Sequence, residues 1–382
     1  MHWTDTDTDR SAPWHSESGA PMPRRVIVAD DTMRADTAYR LACEGTALLW
    51  QGDFQQARQL LQALRRRIDR VTPPRGGSVA ETFHLYRRAR GHRARVLGKL
   101  VVELSADHTL ELRRAPDLRQ VCAETYGAPG QPMVVALTEL LGAIGAQQWR
   151  AKGVDVPALG ARIHPHYGVF SPVRGEYVDL VAQAPLPAGG EGPRTAFDLG
   201  TGTGVLAAVL ARRGIEHVVA TDINPRALAC ARDNIDRLDL TDRIEVTGPD
   251  LFPAGRAELI VCNPPWLPAR PTAAVEQGVY DPDGAMLHAF LTGLAAHLTP
   301  GGEGWLILSD LAEHLELRTR ENLTDAIASA GLRVLDRLDT RPHHSRATDP
   351  TDPLHTARGA EITSLWRLAE SGKTSPLPRP AT

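Results

Sequence analysis

The most constraining feature of this chain is a glycine-rich turn, Asp198-Leu199-Gly200-Thr201-Gly202-Thr203-Gly204-Val205. An apolar run, 195–199, enters it and a helical pattern, 205–213, leaves it. Glycines at alternate positions let the backbone turn tightly and approach a ligand closely. The helix start behind them offers unpaired N–H groups. Further strands are predicted at 217–222, 243–248, 258–262, 305–309, 333–338 and 362–367, with helices at 225–238, 285–297 and 318–330. This alternation predicts an α/β fold: a Rossmann-like, seven-stranded, mostly parallel sheet with helices on both faces.

Upstream the pattern changes. Residues 1–31 are rich in Asp, Thr, Ser, Pro and Gly, show no period, and predict a disordered tail. Apolar residues at three- and four-residue steps from Tyr39 to Ile68, Leu48 and Leu49 among them, predict two helices parted at Gly52-Asp53. Pro73-Pro74-Arg75-Gly76-Gly77 breaks the chain. Alternation over 93–112, around a turn at Ser105-Ala106-Asp107-His108, predicts a β-hairpin, and 133–149 a further helix. The expected domains are a tail at 1–31, a mainly helical recognition domain carrying the β-hairpin at 32–160, the α/β domain at 161–370, and a second disordered tail at 371–382.

Composition narrows the setting. The 382 residues are 42% apolar and 23% charged, which suits a packed core. A net charge of −3 argues against a wholly polybasic nucleic-acid binder. No apolar run approaches the roughly 20 residues that span a bilayer, and the start, Met1-His2-Trp3-Thr4-Asp5, lacks a secretory pattern. Four scattered cysteines without C-x-x-C spacing argue against a zinc ribbon or a disulfide scaffold. His164, His166, His343 and His344 lack partners at metal-ligand spacing, so no metal site is expected. A reduced, cytoplasmic setting follows. Charge is uneven along the chain: 12 basic residues face only Asp69 and Glu81 between Arg58 and Lys99, whereas 166–382 carry 20 basic and 28 acidic residues. A basic N-terminal face suits a polyanionic partner; an arginine-rich solvated surface has the same composition.

The turn also selects its ligand. A dinucleotide turn, G-x-G-x-x-G, would place its third glycine at 205, which is Val. Asp198 would repel a pyrophosphate and attract a cation. S-adenosylmethionine carries a sulfonium and an ammonium, and so fits better. Asp222 ends the second strand 18 residues beyond Gly204, where a carboxylate can accept both ribose hydroxyls. Asp250 follows the third strand, within reach of an adenine amino group, with Leu251 or Phe252 against the ring.

The fourth strand closes on Asn263-Pro264-Pro265-Trp266. Two prolines remove two N–H donors and fix φ, so this corner is rigid. The Asn263 side-chain oxygen and the Pro264 carbonyl can each accept one N–H of a planar amine or amide. Trp266 offers a π face for the same group. The lone pair of such a nitrogen is delocalised. Holding both hydrogens orients it and favours pyramidalisation toward a methyl donor, which is catalysis by positioning and electrostatics.

Together, Asp198-Leu199-Gly200-Thr201-Gly202-Thr203-Gly204, Thr221-Asp222-Ile223-Asn224-Pro225 and Asn263-Pro264-Pro265-Trp266 resemble class I S-adenosylmethionine-dependent methyltransferases of the amino-methylating type. That type includes nucleic-acid amino-methyltransferases and release-factor glutamine-N5 methyltransferases. The resemblance covers about Tyr167 to Arg367 and extends to Asp281-Pro282-Asp283-Gly284. It implies that Asp198, Gly200, Thr201, Gly202, Gly204, Asp222, Ile223, Asp250, Leu251 and Asn263 line the cofactor. It also implies that Asn263, Pro264, Pro265 and Trp266 hold the acceptor, with Phe170 stacking on it and Glu176 touching the cofactor. The expected activity is methyl transfer to a planar nitrogen, foremost an exocyclic base amine in RNA gripped by the basic N-terminal region. A protein glutamine, as in a release factor, and a small biosynthetic acceptor are the alternatives.

Overall fold

The structure, a computed structural model, describes residues 1–5, 7–71, 75–173, 175–187, 194–271, 274–342 and 349–371. His343, His344 and all but Ser371 of the expected 371–382 tail lie outside the described residues. The chain divides into two compact units. The first is built mainly from Met1–Lys152, and the second begins at Gly153, where the sequence suggested 161.

The first unit runs β1 (His2–Asp5), β2 (Thr8–Ser11), β3 (Arg25–Ala29), α1 (Ala35–Cys43), β4 (Thr46–Trp50), α2 (Phe54–Asp69), α3 (Val79–Leu97), β5 (Leu100–Leu104), α4 (Arg119–Tyr126), β6 (Met133–Ala136) and α5 (Leu137–Lys152). Helices supply most of its regular structure, but they accompany a four-stranded sheet, so it is an α/β unit. Its sheet has the order β3-β4-β5-β6, with β3, β4 and β5 parallel and β6 antiparallel to β5. Three expectations are corrected here. First, residues 1–31 carry three strands: β1 pairs with β2, β3 joins the sheet, and Met1, Trp3 and Ala12 are buried against Ala47, Leu49, Val101 and Val134. A few apolar residues in a polar stretch suffice once a sheet face offers them a partner. Second, the expected hairpin over 93–112 does not form. Arg93–Leu97 continue α3, and β5 pairs with β6 some 30 residues away (Val102 opposite Val135). Third, Thr46–Trp50, fully buried, is a central strand and not a helix; periodicity cannot separate the two in so short an apolar run.

The second unit runs β7 (Val154–Val156), β8 (Ala161–Ile163), α6 (Glu176–Gln183), β9 (Thr195–Leu199), α7 (Val205–Arg212), β10 (His217–Thr221), α8 (Pro225–Arg237), β11 (Ile244–Thr247), β12 (Ala257–Cys262), α9 (Ala285–His297), β13 (Leu298–Ser309), α10 (Leu311–His314), α11 (Arg320–Ser329), β14 (Leu332–Thr340), α12 (His355–Ala360) and β15 (Thr363–Glu370). The seven strands β9 to β15 form one sheet of order β11-β10-β9-β12-β13-β15-β14. The first five are parallel, and β15 runs antiparallel to both β13 and β14. The expected Rossmann-like sheet is therefore present.

Alternation along each strand builds two cores. Ala196, Leu259, Val261 and Trp305 pack with α6, α7 and α8; Phe197, Leu199, Ile260 and Cys262 pack with α9 and α11 on the opposite face. Strand order reverses between β9 and β12, so their carboxyl ends open a crevice of the kind that holds ligands in open α/β sheets.

Candidate active site

The register of three adjacent strands sets the site. Leu199 on β9 lies opposite Thr221 on β10 and Cys262 on β12. The next residues, Gly200, Asp222 and Asn263, therefore start at one level on strands spaced about 4.8 Å apart. Gly200, Gly202 and Gly204 have φ of +70°, +55° and +80°, a region other residues rarely adopt, so the turn needs glycine at all three places. A Cβ on Gly200 would also lie 2.5 Å from Cε of Met286, whereas one on Gly202 would meet open space.

The turn is held from both sides. Thr201 N–H donates to the Thr221 carbonyl at 2.8 Å, and Gly202 N–H donates to Asp222 Oδ2 at 3.0 Å. Asp198 Oδ2 accepts from Thr201 Oγ1 at 2.6 Å and from Ala207 N–H at 3.0 Å, tying the strand end to α7. Asp198 is 1% exposed and has no cationic partner among the described residues. Burial pushes its carboxyl up to about 6; its two hydrogen bonds oppose the shift and the charge on Asp222 adds to it. Asp222 is raised too, by burial first, against hydrogen bonds from the Asn224, Gly202 and Ile223 amides. Beside it, Ile223 is 73% exposed, a large apolar side chain at the rim of a crevice.

The third strand end closes tightly on the second. A Cβ on Gly248 would lie 2.5 Å from the Asp222 carbonyl oxygen, and Thr221 Oγ1 donates to the Leu251 carbonyl at 2.7 Å. Leu251 is half-buried there and Asp250 is exposed. Phe252, the alternative to Leu251 against the base, stacks on His297 with ring centroids 4.3 Å apart and lies against Gly293 of α9.

The asparagine–diproline corner follows β12. Pro264 is buried, and Asn263, Pro265 and Trp266 are half-buried. The Trp266 indole N–H donates to Asn263 Oδ1 at 2.8 Å. This fixes the amide and leaves that oxygen one further lone pair. Trp266 thus orients Asn263, a role the sequence did not suggest. The chain then pairs Leu267 with Tyr280, and Asp281 accepts from the Met286 amide at 2.9 Å and the Leu287 amide at 3.3 Å, anchoring α9 beside the corner. Phe170 packs on Gly278, where a Cβ would lie 2.7 Å from its own Cβ.

Sequence reading missed Asn234. It is 1% exposed, accepts from His164 N–H at 2.7 Å, and donates toward the Thr203 carbonyl at 3.1 Å and the Cys230 carbonyl at 3.0 Å. It joins α8, the glycine turn and the segment after β8. An amide on the inward face of an amphipathic helix was the available signal. Among the described residues, Glu176 Oε1 at the start of α6 and Ser171 Oγ just before it are buried without a hydrogen-bond partner. A nucleoside with a cationic tail fits this donor and acceptor set. Among the described residues no group of three or more His, Cys, Asp or Glu is placed to hold a metal ion, and no helix is long and apolar enough to cross a membrane.

Residues 160–329 match the methyltransferase small domain. That match contains the glycine turn, Asp222 and the Asn263 corner together. A release factor glutamine methyltransferase from Cereibacter sphaeroides is 37% identical over 161 residues, covering 38% of this chain and 56% of the relative. A ribosomal protein L11 methyltransferase from Vibrio parahaemolyticus is 36% identical over 94 residues, covering 24% of this chain and 32% of the relative. The chain thus spans between a third and somewhat over half the length of these curated relatives. Among solved structures, a Pyrococcus horikoshii TYW2 in complex with MeSAdo is 16% identical and covers 55% of this chain and 67% of its own, at a TM-score of 0.37.

Proposed function

We propose that this chain transfers a methyl group from S-adenosylmethionine to a planar amino or amide nitrogen. The observation that carries the reading is the β9–β12 register, which starts the glycine turn and Asn263 side by side. The methyltransferase small domain match over 160–329 supports it. The cofactor supplies a methyl group made electrophilic by its sulfonium. The protein's residues bind and orient. Asp222 takes the ribose hydroxyls. Ile223, Asp250 and Leu251 flank the base, and the turn 198–204 lies along the rest. Asn263 Oδ1 accepts one N–H of the acceptor on its free lone pair, and the Pro264 carbonyl accepts the other. With both hydrogens held, the nitrogen lone pair points at the methyl group. Pro265 stiffens the corner, Trp266 holds the Asn263 amide, and Phe170 and the Trp266 ring flank the acceptor.

An RNA base amine is the acceptor favoured by the first unit. The solvent face of α3 presents His84, Arg88, His92 and Arg95 at helical spacing, all exposed, a stripe suited to phosphates. A glutamine side chain is favoured by the relative that is a release factor glutamine methyltransferase. Incubating the protein with tritiated methyl donor, total RNA and total protein separates them. Label in RNA, with binding that weakens steeply as salt rises, supports the first. Label in a nuclease-resistant protein band supports the second, and label only in small molecules overturns both. Cytoplasmic placement belongs to the same reading.

A further inference from the structure

The glycine turn and the asparagine corner adjoin through the β9–β12 pairing, and a second connection joins them through one side chain. It starts just past Trp266. The Leu267 amide donates to the Val279 carbonyl at 3.1 Å, and the Leu267 carbonyl accepts from the Asp281 amide at 2.9 Å. Asp281 is buried, and its two carboxylate oxygens accept from the Met286 amide at 3.2 and 2.9 Å. One of them also takes the Leu287 amide, at 3.3 Å. These bonds fix the first turn of α9 and the direction in which Met286 leaves it. The Met286 side chain reaches back to the glycine turn. A Cβ on Gly200 would lie 2.5 Å from its Cε and 3.7 Å from its Sδ. A Cβ on Gly202 would meet open space, and one on Gly204 would meet Ala231. Met286 therefore bears on the glycine that stands level with Asn263. It is half-buried on the core that holds Phe197, Leu199 and Cys262. Its unbranched thioether acts there by filling space, since it brings no strong hydrogen-bonding group.

Resting on the methyl-transfer reading, we propose that Met286 is a positioning residue that sets the separation between the methyl donor and the acceptor nitrogen. The turn carries the donor and the corner carries the acceptor. Asp281 hangs from the strand that leaves the corner, and Met286 is the wedge it drives against the turn. Transfer depends steeply on this spacing: the reacting atoms need to stand about 3–3.5 Å apart, and a misplacement of about 1 Å costs on the order of 10²-fold. Each loop keeps its own ligand contacts without the wedge. Met286 therefore acts on the rate of transfer and not on cofactor affinity.

The test makes two measurements on the full chain: calorimetric binding of S-adenosylhomocysteine, and single-turnover transfer from tritiated methyl donor into whichever fraction the wild type labels. Met286→Ala is expected to slow transfer by about 10- to 100-fold with S-adenosylhomocysteine affinity retained. Met286→Leu, which keeps most of the volume and is one atom shorter, is expected to lose less. Asp281→Ala removes the anchor of the same wedge. The double variant Asp281→Ala/Met286→Ala is therefore expected to be no slower than the slower single one. Equal rates in the wild type and both Met286 variants overturn the role while leaving methyl transfer standing. So does a rate loss matched by an equal loss of S-adenosylhomocysteine affinity, and so do losses that multiply in the double variant. A wild-type protein that labels no fraction overturns the role together with the reading it rests on.

Discussion

The two units use an aspartate at a strand-to-helix turn in opposite ways. In the first, β4 passes through Gln51-Gly52 to Asp53, which opens α2. Asp53 accepts from the Gln55 and Gln56 amides at 2.8 and 3.2 Å and from the Arg114 guanidinium at 2.6 and 2.8 Å. The Arg114 side chain is the main reason its carboxyl falls to about 2. In the second unit, Asp198 precedes the turn into α7. It is buried without a cation, and its carboxyl rises to about 6. An acid satisfied by its own chain is a structural cap. An acid that its own chain leaves short of charge is available to a cationic ligand. Aspartate at a βα turn is therefore not by itself a functional signal.

The largest test of this contrast lies at the corner beside Asp198. Asn263→Ala is expected to lower the methyl-transfer rate about 10²–10³-fold with cofactor affinity retained, the scale for one oriented polar contact in a transition state. Single-turnover rates alongside binding titrations decide it, and equal rates would remove the corner from the chemistry. Next, Asp222→Ala is expected to weaken nucleoside binding about 10-fold or more, measured by the same titration, because it removes the ribose acceptor and the Gly202 contact together. Smaller still is the pH effect. Asp198 is ionised above about 6, so cofactor affinity should fall as pH drops below 6, by at most about tenfold per unit for one linked proton. Asp222 and Tyr177 are the titratable neighbours whose electrostatics couple to Asp198. An affinity flat from pH 7 to 5 would show that the Asp198 charge is not used.

The smallest effect belongs to the first unit. Asp53 has a lowered carboxyl, so its contribution to stability is present above the unfolded value of 3.8 and lost as pH falls toward about 2. Arg114→Ala should flatten acid unfolding in that window and leave methyl transfer at neutral pH unchanged. A loss of transfer would mean that the first unit's cap is not merely structural.

How much was legible varied by region. The strands and helices of the second unit follow from short apolar runs and amphipathic periods, because β9 with β10, β10 with β11 and β12 with β13 each pair in parallel across a single helix. The first unit was read poorly. Val102 pairs with Val135 across an intervening helix, and the core under its sheet is completed by Met1 and Trp3 from the far N-terminus. Neither relation leaves a local trace. In the site, the glycine turn, Asp222 and Asn263 announce themselves through residue type and spacing. The Trp266–Asn263 bond, the Asn234 junction and the Phe252–His297 stack do not, since side-chain partners are chosen by packing.

What the sequence determined alone was local and obligatory: glycine where φ must be positive, proline where the corner must be stiff, and alternation that sends neighbouring strand residues to opposite faces. Tertiary structure decided which groups end up satisfied. Asp53 received a guanidinium, and Glu176 was buried with one oxygen unpaired. The reason is that hydrogen-bond satisfaction and burial are properties of the whole packed neighbourhood, assembled from segments far apart in the chain.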